Sequence, residues 1–247
     1  MKQNPFDQAL MAAIYDEDNP DGPDHDFYRA LAQELNAKTI VDLGCGTGIL
    51  TVTLAGAGRK VTGVDPASAM LNVARAREGG GNVQWVQGYS SQIKPNSADL
   101  VLMTGNVAMH ILGQAWKQTL SDIAQGLKPG GVLAFETRNP EARAWEKWNE
   151  SGNERMTSAG VLHETTTVSE PDSNGIVTMV EVNRFEDTGD VLELESHLHF
   201  RSLEVIRQDL ENAGLYLDKV YSSWSRDEFV GGANQPLLIV LAQGAAS

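Results

Sequence analysis

The stretch Val41-Asp42-Leu43-Gly44-Cys45-Gly46-Thr47-Gly48 decides the reading of this chain. An apolar run from Thr39 to Leu43 enters three glycines at alternate positions, Gly44, Gly46 and Gly48. Glycine has no Cβ, so the backbone can bend sharply there and approach a ligand closely. Ile49 to Ala57 then reads as a helix stopped by Gly58. The free N–H groups of its first turn point back toward whatever the bend holds. A second strand-like run, Lys60 to Val64, ends in Asp65. A carboxylate one strand over suits the two hydroxyls of a ribose. Together these features predict a pocket for an adenosine-containing ligand.

Spacing narrows the ligand. A dinucleotide fingerprint is Gly-x-Gly-x-x-Gly, whereas here Ile49 stands where the third glycine would fall. There is no Gly-Lys-Ser/Thr, which excludes a P-loop. Val41 to Gly48 resembles motif I of the class I S-adenosylmethionine (SAM)-dependent methyltransferases, and Asp65 falls where that family keeps its ribose-binding acid. Val86-Gln87-Gly88, the run Ala98 to Met103, and Leu127-Lys128-Pro129-Gly130-Gly131 before a strand resemble the same family. The resemblance covers residues 15–140 well and 201–247 more loosely. Two other readings stay open: a strand–turn–helix corner whose glycines serve packing alone, and a dehydrogenase with a variant nucleotide loop.

Composition bounds the partners. The chain has 247 residues, enough for one large domain or one domain with an insertion. Its hydrophobic content of 41% supplies a sizeable core. The net charge of −14, with 19 scattered Lys and Arg, disfavours nucleic acid and anionic membrane and favours a small-molecule substrate. No apolar run approaches the ~20 residues that span a bilayer, and Met1-Lys2-Gln3-Asn4-Pro5 lacks a signal-peptide core. The single cysteine, Cys45, precludes an internal disulfide and fits a reducing compartment. The expectation is a cytoplasmic monomer or homodimer. Cys45 itself reads as a small side chain inside the turn, since no Cys/His pairing is visible.

The remaining chain alternates strands and helices, which implies α/β architecture with helices on both faces of a parallel sheet. After an irregular opening, Asp24 to Leu35 reads as a helix with Phe27, Leu31 and Leu35 on one face. Pro66 to Arg77 is a helix, Val83 to Gln87 a third strand and Ala98 to Met103 a fourth. Trp116, Leu120, Ile123, Ala124 and Leu127 mark a further helix, and Val132 to Thr137 a fifth strand. Ser202 caps a helix running to Ala213, followed by strands Leu215 to Tyr221 and Pro236 to Leu241. The resemblance orders these as a seven-stranded Rossmann-like sheet, mostly parallel with an antiparallel last strand. Residues 1–140 and 201–247 would form the SAM-binding domain. Residues 141–200 break the pattern. They read as an inserted helix plus three antiparallel strands, with a turn at Ser173-Asn174-Gly175 and clear alternation from Val191 to Phe200. In methyltransferases that resemble this chain, such an insert roofs the substrate cavity.

The resemblance also implies roles. Gly44, Gly46 and Gly48, with the backbone of Cys45 and Thr47, would wrap the methionine part of SAM, and Asp42 would orient the turn. Asp65 would bind the ribose, while Pro66 and Met70 would contact the adenine; Met70 equally reads as core. The family often places an acid after the glycine of the third-strand loop. Here Tyr89 follows Gly88, so adenine recognition falls to backbone, to Ser90 or to stacking by Tyr89. Thr104, Gly105 and Asn106 occupy the place that lines the reactive methyl. Tyr15 and Tyr28 stand where aromatic residues close over SAM in this family.

Candidates for acceptor chemistry are fewer. His110 is either a proton acceptor suited to neutral pH or a surface histidine on the next helix. Strand ends on this side of an α/β sheet face the ligand crevice. Arg138 there either holds a substrate carboxylate bidentately or pairs with Glu136. Trp145 would wall the cavity, and Asn139-Pro140-Glu141 reads as a helix start. His197 and His199 share a strand face with Glu193 and Glu195, a pattern read as a wet face and not as a metal site. The reading is therefore methyl transfer from SAM to a small-molecule acceptor. The alternative is a non-catalytic SAM-binding sensor or scaffold.

Overall fold

The computed structural model describes residues 5–56 and 58–244. Ala57, the expected end of the helix after the glycine turn, lies outside the described residues, as do 1–4 and 245–247. In chain order the elements begin with α1 (Ala9–Asp18), α2 (Pro23–Glu34), β1 (Thr39–Leu43), α3 (Thr51–Leu54), β2 (Lys60–Asp65), α4 (Ser68–Ala76), β3 (Gln84–Gln87) and β4 (Ala98–Met103). They continue with α5 (Val107–His110), α6 (Gly113–Gly126), β5 (Leu127–Arg138), β6 (Glu150–Thr157), β7 (Gly160–Val168), β8 (Ile176–Phe185), β9 (Val191–His199), α7 (Leu203–Asn212), β10 (Leu215–Tyr221) and β11 (Leu237–Gly244).

Seven strands form one sheet in the order β10-β11-β5-β4-β1-β2-β3. β1 pairs in parallel with both β2 and β4, and β11 runs antiparallel between β5 and β10. The chain therefore reverses direction of winding beside β1, and the crevice past the carboxyl ends of β1 and β4 is where such sheets bind ligands. Both faces of the sheet are covered. Trp116, Leu120 and Ile123 of α6 pack on one face and Phe27, Leu31 and Ala32 of α2 on the other. The strands between them read as continuous apolar runs because both of their faces are buried.

The insert differs from expectation. It is a four-stranded antiparallel meander, β6-β7-β8-β9, and the expected helix is replaced by two short 3₁₀ turns, Pro140–Ala142 and Ala144–Lys147. The added strand β6 leaves most of its residues exposed, so its sequence carries no alternation to read. It is held by backbone pairing, with Arg155 opposite Leu162 and Met156 opposite Val161.

The opening is also helical where it reads as irregular. α1 divides its apolar residues between two neighbours: Ala12 packs with Met70 of α4, and Ile14 packs with Leu162 and Phe185 of the insert. A helix gripped on two sides shows no single apolar stripe. α1 thereby joins the main sheet to the insert, henceforth the cap. The helix after the glycine turn is shorter than expected, only Thr51–Leu54.

Candidate active site

The glycine turn is stitched to the end of β2. The amides of Gly44 and Cys45 both donate to the Val64 carbonyl, at 2.7 and 3.2 Å. All three glycines have positive φ, at 76°, 51° and 75°. Their surroundings differ. A Cβ on Gly44 would lie 2.4 Å from Val107 Cγ2, and one on Gly48 would lie 2.5 Å from the Trp85 ring. A Cβ on Gly46 would meet nothing within 4 Å. The outer glycines thus serve close packing, and the middle one opens onto free space.

Asp65 faces that space. Its Oδ2 accepts from the Gly46 amide at 2.9 Å and its Oδ1 from the Ala67 amide at 2.8 Å. Burial raises its pKa, and the two amide donors oppose the rise. Asp42 sits behind the turn. Its Oδ2 accepts from Thr51 Oγ1 at 2.6 Å, which ties β1 to the start of α3, while Oδ1 is buried without a partner. Burial pushes the Asp42 carboxyl up to about 6. Burial likewise pushes the Cys45 thiol well above its ordinary value, which removes it as a nucleophile.

The loop after β4 supplies a second wall. Gly105 (φ 68°) has open space where a Cβ would go, and Asn106 also takes a left-handed φ of 60°. Glu136 of β5 fixes this geometry by accepting from the Asn106 amide at 2.5 Å. The other oxygen of Glu136 accepts from the Tyr28 hydroxyl. Tyr28 corrects an expectation: it has no exposed surface, its ring meets Phe27 and Trp224 edge-on, and it supports Glu136 from the core and closes over nothing. Thr104 is half-buried at the head of the same loop.

Arg138 and Glu136 form no ion pair, and Arg138 Nε is buried without a partner. His110 is neither a surface histidine nor a base poised near neutrality. Its ring packs edge-on against Phe6 at 5.2 Å, and burial lowers its pKa to about 4.

Tyr15 of α1 lies near the Asp65 and Glu136 carboxylates and packs with Ala67 and Met70. Burial and the carboxylates of Asp65, Asp16, Glu136 and Asp18 raise its hydroxyl to about 12. Asp16 straps α1 over the turn by accepting from Thr47 Oγ1 at 2.5 Å and pairing with Arg77. Arg77 Nε in turn donates to the Thr47 carbonyl at 3.0 Å. Asp7 accepts from Ser68 Oγ and the Ala69 amide, at 3.0 and 2.8 Å, at the start of α4. Sequence reasoning missed Asp7, Asp16 and Arg77, because no local pattern shows that their partners lie thirty or more residues away.

At the adenine end, Met70 takes its core reading and Ser90 corrects an expectation. Met70 is 2% exposed and packs against Ala12, so α1 covers it. Ser90 is buried and donates to Asp122 Oδ2 of α6 at 2.7 Å, away from the crevice. Tyr89 is 69% exposed. Gly88 donates to the Asp65 carbonyl at 3.0 Å, and the half-buried Pro66 offers its carbonyl to Gln87 Nε2 at 3.2 Å.

Trp145 packs on Phe200 with ring centroids 4.7 Å apart and is a pillar between cap and core, not a cavity wall. Asn139 opens a 3₁₀ turn and ties β5 to Gly232 and Gln235. His197 contacts Glu195 at 3.1 Å on the outer cap face. Among the described residues no group of three or more His, Cys, Asp or Glu is placed to hold a metal.

The methyltransferase domain family matches residues 40–131, the span from β1 through the start of β5. That stretch is similar to a methyltransferase domain. It is 36% identical over 113 residues to the ubiquinone biosynthesis O-methyltransferase of Serratia proteamaculans, a match covering 44% of this chain and 46% of that one. The chain thus spans about half the length of the curated relatives it matches. The fold extends over the whole molecule. The CcbJ methyltransferase from Streptomyces caelestis superposes with a TM-score of 0.78 at 21% identity, covering 100% of both chains. A SAM-dependent methyltransferase from Clostridium acetobutylicum superposes at 0.77 with 18% identity, over 96% of this chain and 98% of that one.

The residues present fit SAM. The crevice offers open backbone at Gly46 and Gly105 and a carboxylate between them and β3. An exposed aromatic, Tyr89, stands just beyond β3, after Gly88.

Proposed function

We propose that this chain transfers the methyl group of SAM to a small-molecule acceptor. The observation that carries the reading is the pairing of Gly46, open where a Cβ would be, with the Asp65 carboxylate beneath Tyr15. Gly44 to Gly48 would hold the methionine part, with Cys45 and Thr47 contributing backbone. Asp65 would take the ribose hydroxyls, and Pro66, Gly88 and Tyr89 the adenine. Thr104, Gly105 and Asn106 would line the methyl, with the Asn106 backbone fixed by Glu136.

SAM, when bound, supplies a methyl already activated on a sulfonium. The protein's part is placement, and aligning two reactants can remove ~7–11 kcal/mol of a barrier. α1 and the cap would exclude water from the crevice, and Arg138 would anchor an acceptor oxygen through its unpartnered Nε. His110 is neutral at pH 7 and too weak a base to hold a proton there, so it does not activate the acceptor.

The strong negative charge supports a small molecule over nucleic acid, and the lone buried Cys45 supports a reducing cytoplasm. Among the described residues no helix is long and apolar enough to cross a membrane. Incubating the protein with SAM and a metabolite panel tests the reading, with S-adenosylhomocysteine (SAH) and product followed by mass spectrometry. Acceptor-dependent SAH formation is expected. SAH that never rises above the no-enzyme control would overturn it.

A further inference from the structure

The inner face of the cap carries a polar patch that the cofactor site does not use. Side chains alternate along a strand, so Val177, Glu181 and Phe185 of β8 share one face. At one end of that face Phe185 packs on Ile14 of α1, the helix that carries Tyr15. At the other end Val177 packs on Met109 of α5, the helix that ends in His110. Glu181 lies midway between these two supports, one on the helix that carries Tyr15 and the other on the helix that follows the Thr104 to Asn106 loop. The middle of the cap face would therefore lie over the crevice, opposite the place expected for the reactive methyl.

The charges there are unequal in their partners. Glu164 and Asp18 share Arg155, at 2.7 and 2.8 Å. Glu181 is half-buried, and among the described residues no cation or hydrogen-bond donor meets it. Burial and the neighbouring Glu164 and Asp18 raise its pKa, which a bound cation would reverse. The second observation is Asn183, two residues along the same face and directly opposite Glu164. Asn183 is 3% exposed, yet its Nδ2 has no acceptor. Buried amides almost always find a partner, and one that does not calls for an explanation such as a ligand.

We propose that Glu181 and Asn183 bind the acceptor itself, and that the acceptor is a small protonated amine bearing a nearby hydroxyl. The Glu181 carboxylate takes the ammonium and accepts one of its protons, the freed amine forms the new bond to the methyl as the bond to the SAM sulfur breaks and SAH leaves, and the Asn183 amide donates to the hydroxyl oxygen. This proposal rests on the methyltransferase reading and names its substrate class.

Saturation-transfer NMR titrations test it with 2-aminoethanol and glucosamine against their uncharged counterparts, 1,2-ethanediol and glucose. Each is run with and without SAH. The amines are expected to bind about tenfold tighter than their counterparts, or more, the margin set by a hydrogen bond to a charged group. Glu181→Gln is expected to erase that margin, and Glu193→Gln, on the opposite cap face, to keep it. Equal binding of amine and neutral probes, or a margin that survives Glu181→Gln, would overturn the proposal. A calorimetric titration of SAH into the same samples reports separately on the methyltransferase reading. Absence of SAH binding sinks that reading and leaves the amine margin as the readout of Glu181.

Discussion

The amide of Gly46 donates to Asp65 Oδ2 at 2.9 Å, joining the middle glycine of the turn to the acid nineteen residues on. The turn and the proposed ribose-binding acid are thus one unit, and the Asp65 carboxylate is held in place before any ligand arrives. Asp65→Asn keeps the shape and removes the charge. SAM affinity should fall about tenfold or more, the worth of ~1.5–3 kcal/mol for hydrogen bonds to a charged group. Isothermal titration calorimetry reads this directly, and unchanged affinity would contradict the assignment.

Gly46 and Gly48 should respond differently to alanine. At Gly48 the new Cβ would collide with the Trp85 ring, so Gly48→Ala should lower stability markedly. At Gly46 the space is open, and only the left-handed backbone conformation resists, at ~1–2 kcal/mol. Gly46→Ala should fold and yet bind SAM more weakly than its stability loss accounts for. Thermal melting beside calorimetry separates the two effects. Equal losses of stability with affinity untouched would show that Gly46 does not border the ligand.

Asp42 gives a pH signature. Its folded-state pKa is raised to about 6 from an ordinary 3.8. A raised carboxyl favours folding below the unfolded value, and that contribution is lost as pH rises through the folded one. At pH 7 the buried charge is therefore a liability of ~3 kcal/mol. Asp42→Asn keeps an acceptor for Thr51 and removes the charge. Urea denaturation should show it more stable than the native protein at pH 8, with the gain shrinking to nothing near pH 4. A gain independent of pH would contradict this.

Tyr28 should matter to stability through Glu136. Tyr28→Phe leaves a buried carboxylate short of a donor, at a cost of ~1–3 kcal/mol. Denaturant unfolding measures it. A neutral Tyr28→Phe substitution would mean that Glu136 finds another donor.

His110 should titrate near 4, so its ring resonances should stay flat between pH 6 and 8. A midpoint close to 6.5 by NMR would mean the ring is solvated and that Phe6 does not cover it.

The alternation of strands and helices and the spacing from Gly44 to Asp65 made the main sheet legible, because both are local patterns. Glycine identity was legible too, but not which glycine packs and which faces the ligand, since that depends on Val107 and Trp85 arriving from elsewhere in the chain. Ser90 and Tyr28 read as site residues because their positions in the chain suit one. Asp122 and Glu136 claim them across 32 and 108 residues. β6 was invisible because an exposed edge strand needs no apolar rhythm, and α1 because its two partners split its apolar residues.

A crystal structure of the protein with SAH tests the central claim most directly. The account predicts density along Gly44 to Gly48 with both ribose hydroxyls on the Asp65 carboxylate. An empty crevice at saturating SAH, or a ribose turned away from Asp65, would contradict it.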